Sequence, residues 1–101
     1  MKINIEQATK IMEMVDEIHN VSGIDNFIIY TYLITKLKAS INLDKELESL
    51  DSSKTSNFII NGIKEKEQFL NADSIAKKIA LRNYMQFEEH CRGLVMSFEA
   101  K

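Results

Sequence analysis

Residues 25–38 read DNFIIYTYLITKLK, and the class of the molecule turns on whether they extend or coil. The apolar, aromatic and β-branched run at the start has the composition of a strand. The spacing favours a helix. Asp25 suits an N-cap, and Ile24 and Ile29 sit where a hydrophobic staple would close over it. Phe27, Tyr30, Ile34, Leu37 and Ile41 then continue one stripe at helical intervals. A strand would need a turn after Ile34 and a neighbour to pair with, and TKLKAS supplies neither. Ile28 and Tyr32 fall opposite that stripe, with Ile29 between. A helix apolar nearly all round must be covered on two sides, so it is the centre of a bundle or an interface.

Outward from this segment the remaining chain also reads as helical. Asn4 and Gln7 have the spacing of a capping box, and Ala8, Ile11, Val15 and Ile18, flanked by Met12, share a face, which predicts a helix over 4–19. Val21-Ser22-Gly23 ends it, Gly23 being able to adopt the left-handed conformation. Leu43, Leu47 and Leu50 predict two helical turns over 44–50. DSSKTS, residues 51–56, reads as a loop and a site of mobility.

Residues 57–70 present a conflict, because Asn61-Gly62 is a hairpin signal while Ser56 suits an N-cap and IKEKEQFL does not alternate. Helix is the better reading, since a mid-helix glycine costs only about 1 kcal/mol relative to alanine. The tetrapeptide NFII occurs at 26–29 and again at 57–60, but its flanks differ and no duplication is inferred. From residue 72 to 98 comes the longest periodic run. Ala76, Ala80, Tyr84, Phe87, Cys91, Leu94 and Phe98 form its seam, Asn71 or Asp73 its cap, and Gly93 a point where it could kink or end.

Composition agrees with this reading. The 101 residues are 45% hydrophobic and 28% charged, with three glycines, no proline and no tryptophan. That is enough for a single core and too little turn chemistry for an all-β domain. The expectation is all-α: one domain over 1–101, a compact bundle of four to five helices with a long C-terminal helix. The one cysteine, Cys91, has no internal partner, and MKINIEQATK lacks the apolar core of a secretory signal, so a reducing cytoplasm is expected. Lys36 and Lys38 interrupt the longest apolar run well short of a membrane span. A net charge of −2 provides no global field for nucleic acid. The bias toward Ile, Lys and Asn fits AT-rich codons, as in a low-GC bacterium, plasmid or phage.

Motifs for chemistry are scarce. His19 and His90 project near apolar faces, yet neither belongs to an HExxH or paired ExxH arrangement; Asp16 with His19, and Glu89 with His90 and Cys91, come nearest. No metal or other cofactor is expected. His90 and Cys91 are adjacent and therefore point about 100° apart on a helix, unsuited to act as a catalytic pair. Without a nucleophile elbow or a phosphate-binding glycine loop, an enzyme is not expected.

Three binding hypotheses remain. The first is a non-enzymatic interaction protein of a phage or mobile element, acting as regulator, inhibitor or adaptor. It would engage another protein through Ile28, Ile29 and Tyr32, and would self-associate as a homodimer through that face or through the C-terminal seam. The second is a nucleic-acid-binding regulator using Lys77, Lys78 and Arg82. There SIAKKIA loosely resembles the start of a helix-turn-helix, but no turn follows Ala80, and Glu88 and Glu89 would repel phosphate. The third is a small-ligand sensor with a polar pocket at Asn83 and His90, two turns apart on one seam.

Overall fold

A computed structural model describes the backbone of residues 1–99 and the side chains of residues 1–97, which form five α-helices. They are α1 (Ile5–Ser22), α2 (Asn26–Lys38), α3 (Leu43–Ser53), α4 (Asn57–Ala72) and α5 (Ser74–Glu99). Each start is written locally. The Asn4 side chain accepts from the Gln7 amide at 2.8 Å while Gln7 Oε1 accepts from the Asn4 amide at 2.9 Å, completing the capping box. Asp25, Asn42 and Ser56 accept from the amides of Phe27, Lys45 and Ile59. Asp73 receives the amides of both Ile75 and Ala76. Gly23 ends α1 at φ 73°, its N–H bonded to His19 O at 2.8 Å.

The stretch at 25–38 is helical, and α2 contacts all four other helices, while α1 and α5 also pack directly against each other. Its stripe stops short of the expected Ile41. The chain turns at Ala39 and Ser40, whose N–H groups return to Thr35 and Leu37, and Ile41 is left fully exposed. Asn42 then caps α3 one residue earlier than the leucine repeat suggested. The expected loop at 51–56 shrinks to a turn. Residues 51–53 complete α3, Ser56 already caps α4, and Lys54 is anchored to Asp51 at 2.8 Å and to Glu17 of α1 at 3.2 Å.

One core cluster draws on every helix, with Ile11, Met14, Ile18, Ile29, Leu33, Leu47 and Ile63 almost completely buried. An aromatic cluster joins α2 to α5: the Tyr84 ring lies 5.7 Å from Phe27 and 5.3 Å from Tyr30, and Phe87 lies 6.3 Å from Tyr30. The seam of α5 packs inward through Ala76, Ala80, Tyr84 and Phe87, and Cys91 is buried. Its final member, Phe98, lies outside the described side chains. The helix continues through Gly93 without a break. At 26 residues it is about 39 Å long, close to the 43 Å long axis of the molecule.

Candidate functional site

The α2 helix is covered unevenly. Ile28, Ile29 and Tyr32, expected as a partner-binding face, are instead buried within the chain. Periodicity identified a helix apolar on all sides correctly, but α3 and α4 fold back to cover the second face. Of the three, only Tyr32 reaches a surface feature, as part of the floor of a groove.

That groove runs where α4 and α5 diverge over α2. Its floor on α2 is formed by Thr31, Ile34 and Thr35; Ala76, Ile79 and Ala80 of α5 form one wall, and Phe69 and Leu70 of α4 the other. Past Phe69 it continues into a second hollow between Phe58 and Phe69, above Gly62 and Tyr32. The two hollows measure about 600 and 530 Å³ and share Thr35, Lys66 and Phe69. Thr31 and Thr35 donate their hydroxyl hydrogens to the carbonyls of Phe27 and Thr31, four residues back on α2. The floor therefore spends its hydroxyl donors internally.

The rim is unusually apolar. Phe58 is 79% exposed, Phe69 55% and Ile79 57%. Together these three present roughly 400 Å² of surface, within the range of the largest apolar patch on a typical monomer, and such patches are often functional. The sequence held a signal for them. On α4 the buried row is Ile59, Ile63 and Leu70, and Phe58, Gly62 and Phe69 form a second row on its flank. On α5, Ile75 and Ile79 likewise lie off the Ala76–Ala80–Tyr84 seam. Apolar residues beside an already complete seam have no core to enter.

The other sequence-derived candidates are dispersed. Lys77, Lys78 and Arg82 are exposed on α5, and Lys77 Nζ donates to Asn71 Oδ1 at 3.2 Å. Because α5 runs unbroken through Ala80, nothing forms the turn of a helix-turn-helix there. Asn83 and His90 do not share a pocket: Asn83 lines the groove, and His90 is exposed farther along α5. His19 Nδ1 lies 2.7 Å from Ile24 O and, since a carbonyl can only accept, carries the proton. The Cys91 thiol has its pKa pushed up to about 11 by burial and then by the nearby Glu88 carboxylate, which keeps it protonated and unreactive. Among the described residues no three His, Cys, Asp or Glu side chains converge as metal ligands, and no helix is long and apolar enough to cross a membrane.

Comparison with protein-family models, curated proteins and solved structures finds no match to this chain.

Proposed function

We propose that this chain is a non-enzymatic binding protein, a small regulator, inhibitor or adaptor, that holds a segment of another protein in the α2–α4–α5 groove. The observation carrying this reading is the exposed set of Phe58, Phe69 and Ile79 lining a concave groove. Aromatic and branched side chains left in water contribute nothing to the monomer's own core, and they are the residue types that anchor protein interfaces. A lone buried thiol is compatible with work in a reducing cytoplasm.

Self-association through Ile28, Ile29 and Tyr32 loses its basis because they are internal, and the α5 seam is engaged with the core through Ala76, Ala80, Tyr84 and Phe87. Through the groove it is opposed by charge, since a two-fold contact would set Lys36, Lys38 and Lys66 near their own copies.

The test is site-specific photo-cross-linking in extracts of the source cells. A benzophenone side chain in place of Phe58 or Phe69 should form an adduct with another protein, and one in place of Glu13 on α1 should not. Equal labelling from all three positions, or adducts only with a second copy of the chain, would overturn the reading.

A further inference from the structure

Charge is spread unevenly over the five helices. α1 and α3 each carry four acids and one lysine, whereas α2 carries Lys36 and Lys38 and no acid. Those two lysines and Lys66 of α4 stand along the groove: Lys38 and Lys66 line the hollow beside α5, and Lys36 and Lys66 the hollow beside Phe58. Glu65 is the one acid among the residues lining either hollow. Two of the ammonium groups are held over aromatic rings, Lys36 Nζ 5.5 Å from the Tyr32 centroid and Lys66 Nζ 5.8 Å from that of Phe69. None of the three joins an ion pair among the described residues. An acidic protein thus concentrates free cations along its apolar groove.

We propose that the groove takes an amphipathic helix from a partner protein, one whose apolar stripe is flanked by acidic residues. This deepens the protein-binding reading and rests on it. The dimensions suit a helix: Phe58 and Phe69 are eleven positions apart on α4, about 16 Å, or three turns of a docked helix. Phe69 divides the groove, so two apolar anchors about two turns apart on the incoming helix would seat on either side of it. The absence of a Cβ at Gly62 deepens the first seat. Acids beside those anchors would meet Lys36, Lys38 and Lys66, completing pairs the chain itself leaves unmade. A flat anionic bilayer is a poorer fit, because Ile34 lies on the floor of a concavity, below the walls formed by Leu70 and Ala80.

The test titrates the full-length chain with labelled synthetic helices of roughly 18 residues sharing one leucine stripe, flanked either by glutamate or by lysine. Fluorescence anisotropy should show the glutamate peptide binding at least about tenfold more tightly, with the gap narrowing as salt is added. The triple variant K36E/K38E/K66E should invert the order. Equal binding of both peptides, an order unchanged in the triple variant, or stronger binding to phosphatidylglycerol vesicles or to decanoate than to the glutamate peptide would overturn the inference. If neither peptide binds while the cross-link at Phe69 still captures a protein, the acidic-helix inference falls and the protein-binding reading stands. Loss of the cross-link as well removes both.

Discussion

Tyr32 of α2 lies against Gly62 of α4 so closely that a Cβ on that glycine would come within 3.0 Å of the ring's Cε2 and 3.1 Å of its hydroxyl oxygen. A glycine in mid-helix normally costs about 1 kcal/mol relative to alanine; here it lets α4 approach α2 and leaves the ring as the floor of a hollow.

A double-mutant cycle makes this measurable. Gly62→Ala alone should gain little or no stability, because the ring must give way by a few tenths of an ångström. In a Tyr32→Ala background the same change should recover about 1 kcal/mol. Urea unfolding of the four proteins provides the comparison, and additive effects would mean that the contact does not govern the site. The displaced ring in Gly62→Ala should also intrude on the hollow and weaken peptide binding.

What was readable in advance divides by range. Asn4, Asp25, Ser56 and Asp73 act on amides two or three residues away, so the helix starts follow from neighbouring residues alone. The tetrapeptide NFII shows the limit. At 26–29 its phenylalanine packs 5.7 Å from Tyr84, whereas at 57–60 the corresponding Phe58 is exposed on the groove rim. Nothing within those four residues distinguishes them; the partner helix does. The burial of Ile28, Ile29 and Tyr32 has the same origin, since it depends on where α3 and α4 return. α2 ends before its period does for a local reason: Ile41 fits the stripe, but Ala39 and Ser40 fold back on the last turn before it.

Alkaline pH should destabilise the protein in a defined window. Tyr30, Tyr32 and Tyr84 have hydroxyl pKa values raised above 10.0, in each case first by burial and then by neighbouring acids, among them Glu88 for Tyr30 and Tyr84 and Glu46 for Tyr32. Cys91 is raised from 9.0 to about 11. The folded chain therefore holds these protons at a pH where the unfolded chain releases them, so the associated stability is complete below pH 9 and declines above it. For Cys91 alone the loss is on the order of 3 kcal/mol across its window. Urea midpoints should stay level through neutral pH on this account and fall steadily from pH 9 to 11. Tyr30→Phe, which keeps the ring beside Tyr84 and Phe87, should show a shallower fall.

Cys91 should also report global opening. Its side chain is fully buried on α5 and its thiol is held protonated. Reaction with a thiol reagent at pH 8 should therefore be slow in the native protein and rapid in denaturant, with the native rate following the population of opened molecules. Rapid native labelling would show that the end of α5 separates from the bundle by itself.

The sharpest contrast concerns residues of similar size and different purpose. Ile29 has no exposed surface at the centre of the bundle, and Ile29→Ala should cost about 2–5 kcal/mol through lost burial and an unfilled cavity. For a domain of this length each 1 kcal/mol corresponds to roughly 4–8 °C, so the loss is plain in a thermal melt. Phe58 is the larger side chain, yet it is 79% exposed, and Phe58→Ala should change stability by no more than about 0.5 kcal/mol. Glutamate-peptide binding should reverse that ranking. Phe58→Ala removes a wall of the groove while leaving the fold intact, and binding should weaken about tenfold or more. The milder truncation Ile29→Val should cost only about 0.5–1.5 kcal/mol and should bind normally once folded. If Phe58→Ala instead lowers the melting temperature as steeply as Ile29→Ala, its ring serves the core and the groove has lost its distinguishing feature.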